Sequence, residues 1–180
     1  EVNGMPAERC FAAPNGMPQE NNVDAADLHS QFDIPKDRKI LVMASRAHHY
    51  KGVDFAIKCL ARLKDQGSNN LHFLFIGDGP DLKYFEAVAS DRGVKQNCTF
   101  AGQRTDVSNL LKGADMAIHP SHGEVGYSLS ILEYMRAGLP VVVPDNPSVC
   151  GATEHKVTGM LFPENDIQAA TEILQKLMNN

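Results

Sequence analysis

The sequence predicts an α/β domain built on a doubly wound, Rossmann-like parallel sheet. Two observations carry this expectation. Short, continuous apolar runs alternate with amphipathic helical stretches from Lys39 onward. The runs are apolar at nearly every position rather than at every second residue, as strands covered on both faces require. The strands are expected at Ile40–Ala44, Leu71–Ile76, Cys98–Ala101, Met116–His119, Pro140–Val143 and Met160–Phe162. Helical spacing places Val53, Ile57, Leu60 and Leu63 on one face, and Leu82, Phe85, Val88 and Ala89 on another. Leu129, Leu132 and Met135 form a third stripe, and Ile167, Ala170, Ile173, Leu174 and Leu177 a fourth. The right-handed crossover rule then winds helices onto both faces, and ligands are expected beyond the carboxyl ends of the strands.

At 180 residues the chain suits one domain with a full core. Residues 1–38 carry Pro6, Pro14, Pro18, Pro35 and an Asn15-Gly16 turn, and read as an interdomain linker plus one short element; residues 39–180 form the domain. The 17 basic and 22 acidic side chains give a net charge of −5 with no basic run, which argues against nucleic acid as a partner. Cys10, Cys59, Cys98 and Cys150 have no zinc-type spacing. Cys59 and Cys98 read as buried structural thiols, which favours a reduced, cytoplasmic setting. No apolar run approaches the roughly 20 residues that span a bilayer, and no signal peptide is expected. A chain beginning at Glu1 reads as an excised or processed piece.

The loops after the expected strands gather the chemistry. Arg46 and Lys51 lie five apart between the first strand and its helix. A guanidinium grips a diphosphate through parallel donors, and an ammonium adds a point charge. Solvated surface cations are the ordinary alternative. Gly77-Asp78-Gly79-Pro80 lacks the third glycine of a dinucleotide fingerprint, so it reads as a tight turn with Pro80 at the first helical position. In Gly123–Glu133 a glycine-containing loop opens a helix, and amides at Gly126, Tyr127 and Ser128 can cradle phosphate or sugar hydroxyls. Glu133, on that helix, suits paired ribose hydroxyls, because both carboxylate oxygens accept hydrogen bonds. His48, His49, His119 and His122 share the rim without the geometry of a metal site, and His119 is expected to be hydrogen-bonded in the core or at a pocket floor. Ser121, Ser128 and Ser130 lack the partners of a catalytic nucleophile.

Read in order, these segments resemble the group 1 (family 4) retaining glycosyltransferases of GT-B fold. The resemblance runs through Pro14-Asn15-Gly16, Ser45-Arg46 with Lys51-Gly52, Gly77-Asp78-Gly79-Pro80, Phe100-Ala101-Gly102, Ala114-Asp115 and His119-Pro120-Ser121. It continues through Glu133 to Val142 and ends at Thr158-Gly159. It implies the carboxyl-terminal, donor-binding half of a GT-B enzyme holding a UDP-, GDP- or ADP-sugar, without a cofactor or metal. Arg46 and Lys51 are then expected at the diphosphate, Glu133 at the ribose and Glu124 at the donor sugar as the catalytic carboxylate. Gly126, Tyr127, Ser128 and Leu129 would contact sugar or phosphate, and the base would lie near Gly102 to Arg104. The family's amino-terminal acceptor domain and final crossover helix would lie outside this chain, leaving an isolated piece that binds donor without turnover. The full-length enzyme would transfer to a glycan or lipid-linked saccharide, an activity compatible with peripheral membrane association.

The family separates its two glutamates by seven residues, whereas eight lie between Glu124 and Glu133. Counting back from Glu133 puts Val125 in the carboxylate position. Ser128 also stands where a glycine is common. Other GT-B enzymes, a UDP-sugar 2-epimerase or a sugar phosphorylase, and a non-catalytic nucleotide-binding module are the competing readings.

Overall fold

The computed structural model describes Pro6 and residues 15–18, 23–124 and 127–179. The elements in chain order are α1 (Leu28–Gln31), β1 (Lys39–Ala44), α2 (Val53–Asp65), β2 (Leu71–Ile76), α3 (Leu82–Asp91) and β3 (Cys98–Phe100). They continue as α4 (Val107–Lys112), β4 (Met116–Ile118), α5 (Leu129–Arg136), β5 (Val141–Pro144), β6 (Met160–Phe162) and α6 (Ile167–Met178). All six strands pair in parallel, in the order β3-β2-β1-β4-β5-β6. The order reverses between β1 and β4, which makes their carboxyl ends the switch point of the sheet.

The apolar strands feed two cores because successive side chains leave opposite faces. Leu41 and Met43 of β1 join Phe73, Phe75 and the buried faces of α2, α3 and α6. Ile40, Val42 and Ala44 join Leu74, Ile76 and the buried faces of α1, α4 and α5. Each core has its own helices, which is the physical meaning of doubly wound. Residues 23–38 pack on the second face through Leu28 and Ile34, with the Ala26 amide donating to the Asn109 carbonyl at 3.0 Å.

Two local expectations need correction. The face of α5 turned to the sheet presents Ile131 and Tyr134, while Leu129 is 52% exposed and Leu132 and Met135 are half-buried. Tyr134 wins this face because its hydroxyl finds the backbone of β1: it accepts from the Ala44 amide at 2.7 Å and donates to the Ala44 carbonyl at 3.1 Å. An apolar leucine offers those groups nothing. Pro80 precedes α3 instead of opening it. The Asp81 amide donates to the Ala47 carbonyl at 3.1 Å and the Asp81 carboxylate accepts from the His49 amide at 2.8 Å, so the turn runs on to Asp81 and the helix starts at Leu82.

Cys59 is buried and Cys98 half-buried, and burial pushes both thiols up to about 12. Cys10 lies outside the described residues. Among the described residues no helix is long and apolar enough to cross a membrane.

Candidate functional site

The loops leaving the carboxyl ends of the strands are stitched into one rim. The Ala47 amide donates to the Asp78 carbonyl at 2.9 Å, the Gly77 amide to Gly102 at 2.8 Å, and the His122 amide to Tyr50 at 2.8 Å. Gly52 makes a close crossing. Its φ of 75° is left-handed, and a Cβ there would overlap the Pro120 carbonyl. Lys51 is thereby brought beside the 120–124 loop.

Two adjacent cavities open on this rim. The smaller, about 390 Å³, is lined by Arg46, Arg104 and Glu133 together with Gly77, Asp78 and Gln103. The larger, about 490 Å³, is lined by Lys51, Glu124, Tyr127, Ser128 and Leu129 together with Asn15. They share a wall: Ala44 borders the first, Ser130 borders the second, and the Ser130 hydroxyl donates to the Ala44 carbonyl at 2.8 Å. Together they lie in the size range of small-molecule sites. A wider cleft of about 710 Å³ lies at the opposite end of the strands, between Pro35, Arg38 and residues 66–70. It gathers turn residues at the amino-terminal edge of the sheet and none of the rim side chains.

Glu124 is held on the rim by two partners at one oxygen. Lys51 Nζ donates to Oε1 at 2.6 Å, and His119 Nε2 lies 2.7 Å from the same oxygen. Lys51 and Glu124 are only 13% and 12% exposed, and His119 is fully buried. Burial pushes the Glu124 carboxyl up, but the His119 and Lys51 hydrogen bonds and charges outweigh it and bring the group from 4.5 down to about 2. A carboxyl depressed in the folded state adds stability above pH 4.5 that is lost as the pH falls toward 2. The urea midpoint of the wild-type chain is therefore expected to fall more steeply between those pH values than that of Glu124→Gln. Parallel acid limbs would show that the carboxylate is not held.

The other residues singled out by sequence divide between the cavities. Arg46 is exposed at the mouth of the smaller one and has no carboxylate partner among the described residues. Arg104 is occupied, its guanidinium gripping Asp106 through bonds of 2.8 and 2.7 Å. Arg46 and Lys51, paired by spacing, therefore line neighbouring cavities instead of one. Ser128 is the N-cap of α5 and makes no side-chain cap, leaving the first amides of the helix beside the larger cavity. Val125 and Gly126 lie outside the described residues. Sequence reasoning passed over Asn15 as a site residue; its amide donates to the Tyr127 carbonyl at 2.6 Å and forms part of the larger cavity's wall. The bond joins residues 112 apart, so local spacing carries no sign of it.

Residues 24–180 match the family described as "Glycosyl transferases group 1". The chain belongs to this family. This group 1 glycosyltransferase sequence is 35% identical over 139 residues to the lipopolysaccharide glucosyltransferase WaaG of Escherichia coli K12, covering 77% of the chain and 36% of that protein. It is 29% identical over 161 residues to CapJ of Staphylococcus aureus, covering 87% of the chain and 39% of CapJ. The chain thus spans well under half the length of these relatives. The crystal structure of WaaG superposes with a TM-score of 0.72 at 29% identity, over 84% of this chain and 41% of that one. Anabaena HepE in complex with UDP superposes with a TM-score of 0.77 at 22% identity, over 84% and 42%, a likeness of fold alone. The Rossmann-like sheet is one half of the GT-B architecture.

Proposed function

We propose that the chain is the donor-binding domain of a retaining, family 4 GT-B glycosyltransferase, with residues 1–38 as linker and first element. The observation that carries this reading is the pair of cavities sharing the Ala44–Ser130 wall, each furnished with a cation and a carboxylate. A nucleoside diphosphate sugar has two polyhydroxylated ends joined by a dianionic bridge, and the paired cavities match that plan. The smaller takes the nucleoside, with Glu133 accepting from ribose hydroxyls and the base near Gly102–Arg104. The larger takes the sugar, beside Glu124, Tyr127 and Ser128. The diphosphate crosses the wall, reached by Arg46 from one side and by Lys51 and the first amides of α5 from the other.

Lys51 starts on Glu124, so it exchanges a carboxylate for the diphosphate when donor arrives. The acceptor, a glycan or lipid-linked saccharide, would be presented by an amino-terminal domain of the same protein. HepE, of the same fold, has been crystallised with UDP and glucose. That supports a uridine nucleotide as the first probe here, followed by guanosine and adenosine nucleotides.

The test separates the two glutamates by calorimetry with UDP, GDP and ADP. Glu133→Gln removes the charge facing ribose and is expected to weaken nucleoside diphosphate binding by about 1–2 kcal/mol. Glu124→Gln removes the group that occupies Lys51, so binding of the bare diphosphate is expected to hold or tighten. Its cost should fall on sugar transfer in the full-length enzyme. A Glu124→Gln enzyme that transfers at the wild-type rate would pass the carboxylate's role elsewhere in the loop. Loss of nucleotide binding in Glu124→Gln with none in Glu133→Gln would reverse the two cavities.

A further inference from the structure

His119 follows β4 directly and has no exposed surface. Its Nε2 lies 2.7 Å from Glu124 Oε1. An ionised carboxylate only accepts hydrogen bonds, so the proton between them belongs to Nε2. The other ring nitrogen, Nδ1, is buried without a hydrogen-bond partner among the described residues. A second proton there would be a buried donor with no acceptor, a costly state. The Ser128 hydroxyl stands 3.4 Å from the same Nε2, too far to replace Glu124 as its partner. The Tyr134 ring, with its centroid 6.3 Å from that of His119, flanks the imidazole.

Lys51 and His119 grip the same oxygen in different ways. Lys51 reaches Oε1 on a long side chain from a loop, its ammonium also 4.9 Å above the Tyr50 ring. It is the grip that an incoming anion can draw off. His119 is fixed by complete burial at the end of a strand and has no route to a ligand in the cavity. No described residue donates to Oε2, the second oxygen of Glu124.

We propose that His119 is a positioning residue: with its proton on Nε2, it holds Glu124 in place and ionised at the larger cavity after Lys51 has left for an anionic ligand. The inference rests on the donor-site reading for the ligand. Without His119, departure of Lys51 would leave a largely buried carboxylate with no donor among the described residues, which would turn toward water or take up a proton. With it, Oε1 stays anchored and Oε2 remains to accept from a ligand hydroxyl.

The experiment removes the lysine first. In the Lys51→Met chain, the Glu124 side-chain carboxyl is followed by ¹³C NMR from pH 7 to pH 2, with Glu124→Gln identifying the signal. Among the described residues it then has His119 as its partner, with the Ser128 hydroxyl beside that imidazole and the Tyr134 phenol more distant. The midpoint is expected to stay below 4.5. Adding His119→Phe should raise it by about one pH unit or more, because burial then acts unopposed. His119→Gln, which offers an N–H donor, should bring it back down. The ¹⁵N shifts of the wild-type imidazole at pH 7 give a reading that needs no substitution, and the Nε2–H tautomer is expected. An unchanged midpoint on adding His119→Phe, no recovery with His119→Gln, or a proton found on Nδ1 would each overturn the inference. Should the phenylalanine variant not fold, the tautomer and the glutamine variant's midpoint decide. Failure of UDP, GDP and ADP to bind the wild-type chain would count against the donor-site reading alone, since none of the titrations contains a nucleotide.

Discussion

Gly52→Ala is expected to lower the stability of the chain by about 2–5 kcal/mol, although it adds a single methyl group. A non-glycine residue in the left-handed region costs about 1–2 kcal/mol, and Gly52 sits there at φ 75°. The methyl would also meet the Pro120 carbonyl at a separation real Cβ atoms do not adopt. Relieving that overlap moves backbone, at a cost of about 1–3 kcal/mol. The movement would not be silent in the site. Lys51 immediately precedes Gly52, and Pro120 leads into the loop that carries Glu124, so the same shift pulls apart the 2.6 Å ion pair. Urea unfolding should show a lower midpoint with an unchanged slope. A wild-type midpoint would mean that the crossing is not as close as the geometry states.

Arg46→Ala is expected to weaken nucleoside diphosphate binding by about 1.5–3 kcal/mol, the range of a charge-assisted hydrogen bond. The prediction follows from what Arg46 lacks. Lys51 is held by Glu124 and Arg104 by Asp106, so each must give up a partner before it can serve a ligand. Arg46 has no such partner among the described residues and stands at the mouth of the smaller cavity. Its attraction for an anion is undiminished by any internal exchange. Lys51→Ala should therefore cost less than Arg46→Ala in the same calorimetric titration. Unchanged affinity in Arg46→Ala, for whichever of UDP, GDP and ADP binds the wild type, would remove Arg46 from the site.

The sheet was legible in the sequence because burial on both faces leaves a continuous apolar run that few other structures produce. Leu71–Ile76 and Met160–Phe162 were located to the residue, and the other strands shifted by one at their ends. Those shifts fall where a backbone amide or carbonyl chooses its partner, as when the His119 amide donates to Val142 just beyond β4. Helix α4, at six residues, is too short to show a period. The buried face of α5 was misread because three-residue spacing marks a stripe without saying which stripe meets the sheet. Tyr134 decided that through a hydroxyl whose partner lies 90 residues away. In the site, residue types and their rim were readable, since loops at the carboxyl ends of parallel strands converge by topology. Which cation faces which carboxylate was not. The Lys51–Glu124 bond spans 73 residues and depends on the Gly52 crossing, which no local pattern encodes.

Ser130 and Tyr134 both fasten α5 to the single peptide carbonyl of Ala44. A helix tied twice to one carbonyl cannot slide along its strand, so Glu133 keeps its station whatever happens upstream. A change of length between β4 and that anchor is therefore expected to be absorbed before Ser130. The eight residues between Glu124 and Glu133 include part of this stretch. Exchange of residues 121–127 is thus expected to alter what the larger cavity accepts and to leave the smaller one as it was, so that the two cavities can be changed independently.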